Sequence, residues 1–189
     1  MLFRSGNSDR DLFPIETANG MTSSVTGTLE YYKRNDRFAP TKGMFGSLSV
    51  EYAGLGGELD YTKGFANFRY YRTLFWDLVW RNNLTYGVIT SNDSDRAPPF
   101  NESFLLGGAN SLRGFEWFTI GKRKRSKKAF DEAVDDGAED PETVALKPFG
   151  GRQQFFYNLE FQFPLVKEAG IMAVAFYDVG NADDQLRVE

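Results

Sequence analysis

In residues 76–89 apolar and polar side chains alternate with period two. Trp76, Leu78, Trp80, Leu84, Tyr86 and Val88 occupy one register, and Asp77, Arg81, Asn83 and Thr85 the other. That spacing puts the two sets on opposite faces of a strand but would scatter them around a helix, so it selects β-structure. The pattern recurs. Over 153–165, Phe155, Tyr157, Leu159, Phe161 and Phe163 alternate with Gln154, Asn158, Glu160 and Gln162. Over 44–54, Leu48, Val50 and Tyr52 alternate with Ser47, Ser49 and Glu51; from residue 22, Val25, Leu29 and Tyr31 face away from Ser24, Thr26, Thr28 and Glu30. A longer segment, 58–72, sets Ala66, Phe68 and Tyr70 opposite Asn67 and Arg69. A sixth, 171–180, is less tidy, because Met172, Val174 and Phe176 share the face of Asp178. A soluble sandwich rarely puts Asp, Arg and Asn on one face of a strand and tryptophans on the other without burying the tryptophans. In a membrane barrel the apolar face meets lipid and the polar face lines the lumen. The expectation is an all-β, antiparallel transmembrane barrel fragment of about six strands.

Composition agrees. Aromatics make up 16% of the 189 residues, with 18 Phe and 9 Tyr, yet the mean hydropathy is negative. No apolar run reaches the length of a membrane-spanning helix, so any span is built from strands. Cysteine and histidine are both absent. That excludes disulfide frameworks, thiol nucleophiles, Ser-His-Asp triads and histidine metal sites; we expect no enzyme, no cofactor and no metal. A net charge of −4 argues against a nucleic-acid partner. Met1-Leu2-Phe3-Arg4 leads directly into polar residues without a signal peptide. Six strands are also too few to close a barrel, for which about eight are needed, and the chain ends at Arg187-Val188-Glu189 without an aromatic. A piece of a longer protein is expected.

The connections punctuate the strands. Residues 5–20 read as a polar loop, and 54–57, 73–75 and 165–170 as short turns. In 35–43, NDRFAPTKG, Pro40 can preset a tight turn that Gly43 closes. One connection is long, about 90–153. Outer-membrane barrels have short periplasmic turns and longer outer loops, so this connection belongs outside, with 54–57. It carries a basic run, 122–128, followed by an acidic one, 131–142. Opposed charge blocks of this kind are expected to be solvated and poorly ordered.

At the centre of that connection stands FLLGGANSLRGFEWFTIG, residues 104–121. Taken alone, Gly107-Gly108 and Arg113-Gly114 read as a compact surface turn. The whole string resembles the loop motif of the BamA-like outer-membrane assembly family, within the bacterial surface antigen superfamily. The matching residues are Gly107, Gly108, Leu112, Arg113, Gly114 and Phe115, continued by Ile120-Gly121. The Pro40, Thr41 and Gly43 turn is similar to a periplasmic turn of the same family. A separate block of resemblance lies in Leu159-Glu160-Phe161 and Phe176-Tyr177-Asp178-Val179-Gly180.

The resemblance implies that the loop folds inward and that Arg113 pairs with Glu160 and Asp178. An inward guanidinium needs such partners, because unpaired burial is very costly and arginine binds carboxylates with a two-pronged fork. Read without the motif, both acids are ordinary solvated lumen carboxylates. The resemblance further implies a bacterial outer-membrane protein that inserts other barrels without ATP. Its implied partners are outer-membrane lipids, unfolded barrel clients and accessory lipoproteins. Residues 1–189 would be part of a C-terminal barrel domain, without the POTRA domains and without the first and last strands that open as a lateral gate. Two alternatives stand beside it. One is a two-partner-secretion or TamA-like translocation barrel, and the other is a passive pore or adhesin barrel with Arg113 in solvent.

Overall fold

The computed structural model describes residues 21–94, 96–166 and 169–185; the loop expected at 5–20 lies outside them. Six long strands form one antiparallel sheet: β1 Ser24–Arg34, β2 Gly43–Ala53, β3 Tyr61–Thr73, β4 Val79–Ser91, β7 Gln153–Val166 and β8 Ile171–Asp183, in the order β1-β2-β3-β4-β7-β8. Each is hydrogen-bonded to its neighbour in sequence except across the long connection, where β4 pairs with β7. No helix among the described residues is long and apolar enough to cross a membrane.

The register aligns the alternation of all six strands. Directly opposed residues share a face, and one row runs Leu29, Leu48, Ala66, Tyr86 and Phe155, while the next runs Gly46, Phe68, Leu84, Tyr157 and Val179. The result is a continuous apolar face that no other element covers: Leu29 is 73% exposed and Tyr177 61%. On the opposite face the long connection lies against the sheet. Its Phe104, Leu106 and Leu112 are buried on Tyr61, Ile89, Phe156, Ala182 and Ala53. This second face is thus polar only in part. Phe156 sits in the polar register of its strand and is 7% exposed, because it is the floor on which the loop rests.

Three expectations change. β4 begins at Val79, not at residue 76, and Trp76 belongs to a turn spanning 74–78 closed by Leu74 N–H to Leu78 O (2.7 Å) and Leu78 N–H to Phe75 O (3.1 Å). Trp76 (φ 53°) and Asp77 (φ 59°) both adopt the left-handed conformation there, which costs a bulky residue roughly 1–2 kcal/mol. Pattern alone could not show this, since Trp76 keeps the strand's parity while the chain reverses.

The 35–43 connection joins β1 and β2 in the hairpin that its turn residues predict, but as an extended loop rather than a tight turn. Asn35 closes it, its side chain accepting from Thr41 N–H (3.1 Å) and Lys42 N–H (2.9 Å) and donating to the Thr41 hydroxyl (2.9 Å). Pro40 is buried in it. Gly43 opens β2 at φ 110°, where a Cβ would run into the Lys33 carbonyl. The Thr73 hydroxyl donates to Thr41 O (3.0 Å), tying this loop to the next hairpin.

The charge blocks are ordered. They fold into a hairpin of β5 Arg123–Arg125 and β6 Leu146–Pro148 enclosing helices α1 Lys127–Asp135 and α2 Pro141–Ala145. Ser126 and Asp140 cap the two helices through Ala129 N–H and Thr143 N–H. Opposite charges meet, Arg125 pairing with Glu142 at 3.0 Å and lying over the Phe130 ring at 4.3 Å. Lys122, by contrast, pairs with Asp184 beyond β8 rather than with the acidic block.

Candidate functional site

The long connection is bridged to itself at two points. Phe104 and Gly151 exchange backbone hydrogen bonds of 2.9 Å, and Leu106 and Ile120 exchange bonds of 2.8 and 3.0 Å. Between Leu106 and Ile120 the motif forms a compact lobe that only glycine permits at its base. Gly107 has φ 119°, and a Cβ there would strike the Glu116 carbonyl; at Gly108, φ 83°, it would enter the Trp117 ring. The Ser111 hydroxyl closes the lobe, accepting from Gly107 N–H and donating to Gly107 O, both at 2.9 Å. Leu112 plugs the core at 3% exposure, whereas Phe115 remains exposed. Gly114 takes φ 87° with open space around it.

This lobe carries Arg113 onto two strands at once. Asp178 on β8 accepts three hydrogen bonds from the one residue: Nε at 2.7 Å and Nη2 at 2.6 Å from the side chain, and the backbone N–H at 3.1 Å. Glu160 on β7 accepts from Nη1 at 2.5 Å. The guanidinium carbon lies 3.9 Å from the centre of the Phe176 ring. The paired fork, the second carboxylate and the aromatic floor engage its edges and one face. The Asp178 hydrogen bonds, opposed by burial and reinforced by Glu160, push the Arg113 pKa up. Asp178 is 4% exposed, Glu160 20% and Arg113 24%. Glu160 is itself oriented, its second oxygen accepting from Gln162 Nε2 at 3.0 Å and lying 3.5 Å from Arg81. β8 runs to Asp183, so Asp178 stands inside the strand, with β7 paired to residues before and after it.

A relay of amides supports the same lobe. Asn67 Nδ2 donates to Asn83 Oδ1 (2.7 Å), Asn83 Nδ2 to Asn158 Oδ1 (2.8 Å), and Asn158 Nδ2 to the Ser111 carbonyl (2.6 Å). Asn83, Asn158 and Asp178 are successive cross-strand partners on β4, β7 and β8. The sequence places Asn83 and Asn158 on polar faces but carries no sign that they are opposed, nor that Phe176 underlies Arg113; only the untidy face of β8 hints at it. Replacing Asn158 with alanine removes one bond to the loop and orphans the Asn83 amide, so we expect a loss of about 1–3 kcal/mol. Faster proteolytic cleavage within the 104–121 lobe, with unchanged cleavage at the 35–42 loop, is the corresponding readout.

The loop carrying Pro40, Thr41 and Gly43 joins the strand ends opposite to those that the long connection joins, although Gly43 lies in the same cross-strand row as Glu160. Among the described residues no group of carboxylates is placed to hold a metal ion, and Asn92 accepts from the Thr62 hydroxyl (2.7 Å) and donates to Ala53 O (3.3 Å).

Comparison with known proteins places this arrangement. The chain is 28% identical over 159 residues to the outer membrane protein assembly factor BamA of Nitratidesulfovibrio vulgaris, an alignment covering 78% of this chain and 18% of that protein. It is 30% identical over 149 residues to a SAM50-like protein of Drosophila melanogaster (74% and 33%). It is 29% identical over 119 residues to the sorting and assembly machinery component 50 homolog B of Xenopus laevis (62% and 25%). The chain therefore spans between about a fifth and a third of the length of these relatives. The crystal structure of Haemophilus ducreyi BamA lacking POTRA domains 1–3 superposes with a TM-score of 0.69 at 20% identity, over 84% of this chain and 29% of that one. The sheet is accordingly an arc of a β-barrel wall, with the lobe on its inner face. Residues 3–187 match the model of the Omp85 superfamily domain, and the chain belongs to that superfamily.

Proposed function

We propose that this chain forms part of the barrel of a bacterial outer-membrane assembly factor, and that Arg113, bound to Glu160 and Asp178, locks the motif lobe against the inner wall. The observation that carries the reading is the lobe's single guanidinium held by carboxylates from two adjacent strands over an aromatic floor. The apolar outer face meets outer-membrane lipid. The partners of the complete protein are unfolded barrel clients and accessory lipoproteins, and it works without catalysing a covalent step. A fixed lobe keeps the inner wall in one shape while clients fold at the barrel's edge. The named relatives, a BamA and sorting and assembly machinery components, support assembly over secretion or passive conduction.

The test uses the full-length protein that carries this sequence, reconstituted in lipid vesicles, with an unfolded outer-membrane barrel presented from urea. Accelerated appearance of the heat-modifiable, protease-resistant client is the expected result. A conductance without any acceleration of client folding would instead establish the passive pore. The animal relatives support a second reading, a eukaryotic sorting and assembly machinery component. Fractionation of the source cells decides between a bacterial outer membrane and an organellar one.

A further inference from the structure

A cavity of about 300 Å³ opens beneath the motif lobe, lined by Arg69, Tyr71, Arg81, Asn83, Asn110 and Arg113 and by one carboxylate, Glu160, among others. Two cross-strand rows build its wall and continue beyond it. One runs Tyr32, Phe45, Arg69, Asn83, Asn158 and Asp178; the next runs Arg34, Gly43, Tyr71, Arg81, Glu160 and Phe176. Charge is divided along these rows, with arginines on β1, β3 and β4 and carboxylates on β7 and β8. Counting Arg113 from the lobe, four guanidiniums face two carboxylates, and Arg113 already gives Asp178 three hydrogen bonds and Glu160 one.

The remaining arginines are held by ring contacts. Arg34 lies over Tyr32 (4.6 Å) and Phe45 (5.0 Å), Arg69 over Phe45 (5.8 Å) and Arg81 over Tyr71 (5.3 Å). A ring contact uses none of a guanidinium's N–H donors in a hydrogen bond to oxygen. Among the described residues Arg34 and Arg69 form no ion pair, and Arg81 reaches only Glu160, at 3.5 Å. The Nε of Arg34 is buried without any hydrogen-bond partner. Like charges gathered around one small space raise its potential and favour an anion.

We propose that this cavity is an oxyanion-binding site inside the barrel, taking a carboxylate or phosphate group edge-on between Arg69 and Arg81, with the Asn83 and Asn110 amides at its margin. Arg113 and Glu160 also border it, but the group binds between Arg69 and Arg81 rather than at the Arg113 ion pairs, and the site does not depend on the assembly reading. The planar fork of each free arginine matches two oxygens of one such group. Carboxylates of an acidic polypeptide and a free phosphate share that chemistry.

The test uses the full-length protein in uncharged detergent at fixed ionic strength, with fluorescein-labelled hexa-aspartate as the probe read by anisotropy and inorganic pyrophosphate as competitor. Saturable binding is expected, weakened at least tenfold by Arg69→Gln with Arg81→Gln, as follows from losing charge-assisted hydrogen bonds. It should be unchanged by Arg123→Gln with Lys124→Gln in the exposed hairpin. If pyrophosphate displaces the peptide, the site accepts phosphate; if it does not, the site is selective for polypeptide carboxylates. Absence of saturable binding overturns the proposal, as does equal weakening by the two double variants. Thermal unfolding of the Arg69→Gln, Arg81→Gln protein without ligand supplies the remaining check. A marked fall in Tm means that these arginines already pair with acids of the protein's own wall, and it overturns the site; an unchanged or raised Tm supports it.

Discussion

Replacing Arg113 with alanine is expected to release the motif lobe from the barrel wall and to lower stability by about 3–5 kcal/mol, the usual cost of breaking one side of a buried ion pair. The loss is large because of what stays behind. Asp178 is nearly inaccessible to water and loses both guanidinium donors, keeping the backbone N–H of residue 113 and the Asn158 side chain. Glu160, more exposed, keeps Gln162 and the more distant Arg81. The two carboxylates are therefore unequal, and Asp178→Ala should cost more than Glu160→Ala. In a double-mutant cycle read as the temperature of unfolding on a semi-native gel, Arg113→Ala combined with Asp178→Ala should be no worse than Arg113→Ala alone. Additive losses would show that the two residues act separately and would remove the lock. Arg113→Lys is the sharper control. A lysine keeps the charge but lacks the planar fork, so it cannot serve Asp178 and Glu160 together and should recover only a minor part of the loss.

Gly107→Ala should be the most damaging single methyl group in the motif. Its φ of 119° is strained for any side chain, and the added carbon meets the Glu116 backbone carbonyl, which cannot swing aside as a side-chain tip could. Gly114, at φ 87°, has open space around it, so Gly114→Ala carries conformational strain alone, about 1–2 kcal/mol. The expected order is a protein whose lobe is cleaved rapidly by protease for Gly107→Ala and one close to wild type for Gly114→Ala. Equal damage from the two would mean that the tight Gly107–Glu116 approach does not exist. Gly108→Ala should also be severe, with the Trp117 ring as the obstacle, and a smaller side chain at residue 117 should partly rescue it.

Both results bear on how the site was encoded. Gly107, Gly108, Leu112, Arg113, Gly114 and Phe115 are contiguous in sequence, and glycine's access to positive φ is a local property, so the lobe's backbone is readable from its own residues. The acids that receive Arg113 lie 47 and 65 residues away, and only a family resemblance pointed to them. The charged run shows the opposite failure. Its composition reads as solvated chain, yet Ser126 and Asp140 cap helices within it and Arg125 meets Glu142. Pairing between blocks, unlike repulsion within them, depends on how the chain folds back.

Period-two alternation by itself determined that this chain is built of strands with one apolar and one polar face, and it placed Arg81, Asn83, Asn158 and Glu160 on polar faces, because the direction of a side chain on a strand is set residue by residue. Which of these residues meet was decided only by the tertiary structure. Shifting the β4–β7 pairing by one residue would turn Asn83 away from Asn158 and carry Glu160 out of reach of Arg113, and nothing in either strand alone prevents it. The long connection supplies the constraint: Phe104, Leu106 and Leu112 pack onto Tyr61, Ile89 and Phe156. That packing joins distant segments of the chain, and it is what delivers Arg113 to Asp178.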